Sequence, residues 1–221
     1  MSSIIFVVNE QEVMVATDTL ATRNGEPCFF TTKTLIVPHL KLVIAGTGVA
    51  GFLDRWFLCV NGTVPLRGID ILNDHAPSDL AAMWEWCKEQ LPIANSTTTV
   101  YHFGFSENTG LMKAYAYRSE NNFKSEPLAY GDYRKPDCAV PAHCEYPQDV
   151  KRMMEDQRIR QNAHPRESRL YIGGEIQVHH LTKAGFNVWT LDRFDDYDAD
   201  EKAMYSRLAL LKEAINNEPS A

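Results

Sequence analysis

No run of eighteen apolar residues occurs anywhere in the 221-residue chain, so no segment is expected to cross a bilayer as a helix. The first residues, Met1-Ser2-Ser3-Ile4-Ile5-Phe6-Val7-Val8, carry no basic start, and their apolar run is too short for a secretory signal. The expected location is the cytoplasm, with no membrane partner. Cation is the scarcer charge: Lys+Arg 22 against Asp+Glu 29 gives −7. A surface of that sign repels phosphate backbones, so nucleic acid is not an expected partner. Cysteine is sparse and odd in number, five in all and scattered along the chain, which suits reduced thiols rather than a disulfide framework. Metal-ligand spacing is also missing. Cys138, His143, Cys144 and the adjacent His179-His180 do not make a zinc pattern, and read as structural thiols and surface histidines. The acidic run from Asp192 to Glu201 lacks the order of a calcium loop and reads as a solvated helix start.

What is present is an ordinary globular composition, 44% hydrophobic and 23% charged, enough to build a core over one expected domain, 1–221. Apolar runs at 4–8 and 12–18 around Asn9-Glu10-Gln11 predict a hairpin. A turn-rich stretch with Asn24-Gly25 and Pro27 follows, then strands over 33–37 and 41–48. Helical spacing from Val49 to about Val60 predicts a first helix, and Ser78 or Asp79 offers a cap for a second that ends at Pro92. Runs at 97–106 and 111–118 form another hairpin. Residues 126–146, with three prolines and no period, read as an irregular excursion. An exposed amphipathic helix is expected over about 148–161, with Val150, Met153, Met154, Gln157 and Ile159 amid charges. A last hairpin, 169–181 with 186–192, and a helix over 199–216 complete the chain. Gly46-Thr47-Gly48-Val49-Ala50-Gly51 resembles a dinucleotide fingerprint only superficially, because the strands before it are hairpin-connected and no βαβ unit follows.

The first strand begins at residue 4, which has chemical meaning. A chain that starts on a hydroxyl residue can use that side chain as nucleophile and its own α-amine as base. Ser2 becomes such a residue once Met1 is removed. Beyond it, Ser2-Ser3-Ile4-Ile5, Val13-Met14-Val15-Ala16-Thr17-Asp18-Thr19-Leu20-Ala21-Thr22, Lys33 and Val43-Ile44-Ala45-Gly46-Thr47-Gly48 resemble the β-type proteasome subunits and the bacterial HslV peptidase. The likeness is motif-level over about the first fifty residues and extends further only in element order.

The resemblance implies an α+β fold of the N-terminal-nucleophile hydrolase kind, a four-layer αββα sandwich of two antiparallel sheets between helical layers. It places Ser2 on the nucleophile, Asp18 on the carboxylate that orients a lysine, Lys33 on that lysine and Gly46 on an oxyanion donor, with Thr22 and Thr47 toward substrate. Aligned without gaps, the lysine's place falls on Thr34. Lys33 takes it if the Asn24-Gly25 loop is one residue shorter and the Pro38-His39 turn one longer, and in a strand that offset decides which face the side chain points to. The family's Gly-Ser-Gly has no counterpart; Tyr130-Gly131-Asp132 stands nearest, and Asp132 is given no role. The implied activity is cleavage of peptide or other amide bonds without cofactor or metal. The implied assembly is a homo-oligomer, typically a ring, with any ATP-dependent unfoldase partner unspecified. Two other readings share the pattern: a catalytically inactive scaffold subunit, and an amidase for small molecules.

Overall fold

The computed structural model describes residues 3–23, 25–62, 66–91, 93 and 96–216, with side chains described through 209. Twelve strands and four helices occur among the described residues. The strands are β1 (Ile4–Val8), β2 (Glu12–Asp18), β3 (Leu20–Arg23), β4 (Glu26–Phe30), β5 (Thr34–Val37), β6 (Leu42–Thr47), β7 (Thr99–Phe105), β8 (Met112–Arg118), β9 (Glu126–Pro127), β10 (Gly131–Lys135), β11 (Glu175–Thr182) and β12 (Gly185–Arg193). The helices are α1 (Phe52–Gly62), α2 (Ile69–Gln90), α3 (Val150–Asn162) and α4 (Tyr197–Asn216).

One sheet runs β10-β1-β2-β11-β12, a second β5-β6-β7-β8-β9, and β3 with β4 forms a separate ribbon. Every pairing is antiparallel. β1 and β6 are apolar nearly throughout, because both of their faces are covered. Ile4, Phe6, Val13 and Val15 of the first sheet meet Val43, Ala45, Tyr101 and Phe103 of the second. Phe6 lies at the centre of that layer, 4.9 Å from the Phe103 ring and 4.8 Å from Tyr133. The outer face of the second sheet buries Leu42 and Ile44 against α1 and α2. The outer face of the first buries Ile5, Ala16 and Val178 against Val150, Met153 and Met154 of α3.

The four-layer sandwich of two sheets between helical layers therefore needs correction: the described residues form three sheets and no clear pair of matched helical layers. The stretch read as turns, around Asn24-Gly25 and Pro27, is the β3–β4 ribbon, and α4 packs along β4, with Phe30 stacked on Tyr197 at 4.7 Å. Two helices thus serve the second sheet, α3 alone serves the first, and α4 leaves the layering. The supposed irregular excursion also contains β10, which pairs with β1 from Ile4↔Lys135 to Val8↔Gly131.

Helix α2 begins nine residues before the expected Ser78 cap and carries Pro77 within it. Its start is held from outside: both oxygens of Glu107, in the β7–β8 turn, accept the amides of Asp70 and Ile71 at 2.9 Å. A carboxylate there satisfies orphan donors and favours the positive end of the helix. Ile159 of α3 is exposed rather than part of the buried face, which consists of Val150, Met153, Met154 and Gln157. His179 is buried rather than on the surface, while His180 meets Glu12 at 2.8 Å. No helix among the described residues is long and apolar enough to cross a membrane.

Candidate active site

Asp18 ends β2, where the chain leaves the first sheet for the ribbon. Its carboxylate is fully buried and accepts three donors. Oδ1 takes the Ser3 amide at 2.9 Å and the Lys33 ammonium at 2.8 Å. Oδ2 takes the Gly173 amide at 3.2 Å. Three N–H groups on one carboxylate, one of them cationic, make charge-assisted bonds where water does not compete.

Lys33 sits one residue before β5 and is 7% exposed. Its Nζ also donates to the Leu20 carbonyl at 2.7 Å, so two fixed acceptors aim the ammonium. Burial pulls Lys33 below the ordinary lysine range, while the Asp18 charge and hydrogen bond oppose that pull. Thr34 points elsewhere, 3.5 Å from the Thr17 hydroxyl. Lys33 and Asp18 are thus brought together, and Thr34 is not part of the pair.

Residue 3 is held at both its backbone and its side chain. The Ser3 hydroxyl donates to Gln157 Oε1, and Gln157 Nε2 donates to the Pro136 carbonyl. Ser3 and Gln157 are both completely buried. Ser2 lies outside the described residues, but its peptide neighbour is fixed next to the Asp18–Lys33 pair.

Beside this cluster lies a cavity of about 160 Å³ lined by Thr22, Thr31, Lys33, Gly46, Thr47 and Gly48, among others. The Gly46 amide donates to the Lys33 carbonyl at 3.2 Å, extending the β5–β6 ladder. That donor is spent within the sheet. Gly48, at φ +122°, borders the same cavity, and its amide has no partner among the described residues. A Cβ there would lie 2.3 Å from the Thr97 carbonyl oxygen and 2.6 Å from Thr98 Cα, so only glycine fits. The Thr47 carbonyl accepts the Thr98 hydroxyl at 3.0 Å. Thr22 lies on the ribbon and lines both this cavity and a neighbouring one of about 630 Å³. Asp132 sits on the edge strand β10 and pairs with Arg134 at 2.6 Å.

Four residues of this arrangement were not singled out as site residues in the sequence: Ser3, Gln157, Gly173 and Gly48. Only Gln157 left a signal, as a polar residue in step with Val150, Met153 and Met154 on the apolar side of its helix.

Stacked antiparallel sheets, with a buried lysine–aspartate pair against the start of the first strand, are the arrangement these features define. No family model matches the chain, and no curated protein matches it. Solved structures do: a Gly-1 mutant of Anbu from Hyphomicrobium sp. strain MC1 has a TM-score of 0.58 at 10% identity, covering 100% of this chain and 99% of that one. Anbu from Yersinia bercovieri, described as an ancestral beta-subunit, has a TM-score of 0.57 at 8% identity, with the same coverage. At such identity the likeness shows the fold alone. It also corrects the resemblance drawn from the first fifty residues. The structural neighbours are Anbu proteins, so the assignment to the β-type proteasome subunits and HslV does not stand; a motif shared across one fold cannot choose among its branches.

Proposed function

We propose that the chain is an N-terminal-nucleophile hydrolase of Anbu-like fold that cleaves peptide or other amide bonds through Ser2 after Met1 is removed. The observation that carries this reading is the Asp18 carboxylate, which receives the Lys33 ammonium and the Ser3 amide on one oxygen. The free amine of Ser2, with an ordinary pKa near 8, acts as base. It takes the hydroxyl proton as Oγ attacks the substrate carbonyl, and it returns that proton to the leaving amine as the C–N bond breaks. The acyl-enzyme ester is then hydrolysed by water, with the amine again as base. Lys33 lowers the cost of negative charge on Oγ, and Asp18 holds Lys33 in place. The Gly48 amide is the proposed donor to the developing oxyanion, since the Gly46 amide is engaged with Lys33. Thr22 and Thr47 border the cavity that takes the substrate. Self-association into a homo-oligomer belongs to the same proposal.

Intact mass of the protein from its native host, followed by labelling with a peptide epoxyketone and a β-lactone, tests the reading. The expected result is loss of Met1 and one adduct on Ser2 that vanishes in Ser2→Ala. Retention of Met1, or no adduct across a broad panel, sinks the enzyme and favours a catalytically inactive assembly subunit.

A further inference from the structure

We propose that Gln157 is a positioning residue: through Ser3 it clamps the start of the chain onto α3 and so sets where the hydroxyl and amine of Ser2 stand. This rests on the hydrolase reading above for its chemical consequence, but not for the clamp.

Gln157 is the polar member of the face that α3 presents to the first sheet, among Val150, Met153 and Met154. A fully buried carboxamide is costly unless both of its ends are satisfied. Here both are, and by different segments: its oxygen by the Ser3 hydroxyl, its nitrogen by the Pro136 carbonyl. Glutamine is suited to this place, because one group must accept from a hydroxyl and donate to a carbonyl at once. Leucine or methionine would fill the volume without either bond, and glutamate would turn an anion toward the Pro136 oxygen.

Residue 3 is thereby gripped on two sides. Asp18 holds its amide and Gln157 holds its side chain, from elements 15 and 154 positions away in the chain. A backbone amide bond alone leaves the preceding residue free to swing about the bonds of residue 3. The second grip fixes the side chain of residue 3 as well. Ser2 is the next residue in the chain, and the Lys33 ammonium with which the proposed chemistry engages it is held between Asp18 and the Leu20 carbonyl. A displacement of about 1 Å at a reacting group can cost on the order of 100-fold in rate.

The experiment compares wild type, Gln157→Leu, Ser3→Ala and the double variant, after thermal melts have shown which of them fold. Two readouts are taken. In the first, a broad-specificity aminopeptidase is added and loss of Ser2 and Ser3 is followed by intact mass. A clamped start is trimmed slowly, and each variant is expected to be trimmed at least about tenfold faster, with the double variant no faster than the faster single one. In the second, inactivation by a β-lactone is resolved into KI and kinact. The expectation is a fall in kinact of roughly 30- to 100-fold with KI unchanged, because the cavity that binds the reagent is untouched. Equal trimming in wild type and Gln157→Leu overturns the proposal. So does a parallel change in KI, kinact and melting temperature, which marks a merely structural glutamine. If wild type takes no label at all, the hydrolase reading fails on its own, and the trimming result alone decides whether the clamp exists.

Discussion

Replacing Asp18 by asparagine removes one charge from a place where the structure leaves little to replace it. The Lys33 side chain is 8% exposed and that of Asp18 fully buried, so the variant strands an ammonium with the Leu20 carbonyl as its remaining described acceptor. Asparagine also cannot serve all three donors: one end of its amide is itself a donor, facing either the Gly173 amide or the Ser3–Lys33 pair. Breaking a buried pair by removing one partner costs about 3–5 kcal/mol, and that is the loss expected at pH 7 by urea unfolding followed through tryptophan fluorescence. The pH dependence identifies the cause. Without the carboxylate, the folded-state pKa of Lys33 falls further below its unfolded value. The unfolded chain then holds the proton that the folded chain has shed. Stability therefore rises with pH up to the unfolded lysine value near 10.4, and the gap to wild type narrows between pH 7 and 9.5. Adding Lys33→Met should recover much of the loss, since it removes the buried ammonium that the first substitution leaves without a counter-charge. A gap that stays constant over that pH range, or one below about 1 kcal/mol, would refute the reasoning.

Gly48→Ala and Gly51→Ala separate crowding from backbone conformation. Both glycines have positive φ, +122° and +80°, but only at Gly48 does a Cβ meet backbone atoms within 3 Å. Thermal melts should show a loss of about 1–2 kcal/mol at Gly51 and at least about twice that at Gly48, and equal losses would contradict the close approach. His102 and His179 are buried without a charged partner, and burial pushes them down to about 3 and about 4. Below pH 6.5 the unfolded chain takes up protons that the folded chain refuses, so stability falls with acid, by about 2 kcal/mol per histidine at pH 5. His102→Gln retains an acceptor for the Trp56 indole, which lies 2.7 Å from His102 Nε2. In urea titrations it should lose less between pH 7 and pH 5 than wild type does, and an unchanged difference would remove His102 from the account.

Local pattern predicted the elements whose stabilising contacts are local or periodic. The β1–β2 hairpin, the β7–β8 and β11–β12 pairs and the spans of α1, α3 and α4 follow from apolar spacing and turn residues. The misses share one physical origin, a partner far away in the chain. The start of α2 is expected at Ser78 or Asp79 and falls at Ile69 instead, because its cap comes from Glu107, 36 residues beyond Ile71. β10 has no apolar alternation of its own, and it exists because β1 offers it an unpaired edge. β3 and β4 are short, flank the turn residues Asn24-Gly25, and β4 contains Pro27, so the stretch reads as turns; among the described residues they pair with each other as a bulged ribbon. The site divides in the same way. Asp18 and Lys33 are named only through the family resemblance, since ungapped alignment points to Thr34; the structure pairs Lys33, which precedes β5, with Asp18, and turns Thr34 toward Thr17. Gly173 leaves no signal and Gln157 shows only as a polar residue on the apolar side of its helix, because their partners lie 155 and 154 positions away.

Asp18 thus does two jobs that a variant cannot separate. It ties the chain start, the residue before β5 and the Gly173 loop into one point, and it orients the ammonium that the proposed chemistry needs. Loss of activity in an Asp18 variant would therefore say little about catalysis. Lys33→Met is more informative. The apolar stem of the side chain stays in place while the charge goes, and Asp18, though it loses its counter-charge at a cost in stability, still accepts from the Ser3 and Gly173 amides, so the chain start keeps its backbone tie. If the ammonium serves the reaction, this variant should keep the slow aminopeptidase trimming of wild type and still lose labelling at Ser2. A Lys33→Met protein that is trimmed quickly would instead assign Lys33 to holding the fold, and the site would lose its claim to chemistry.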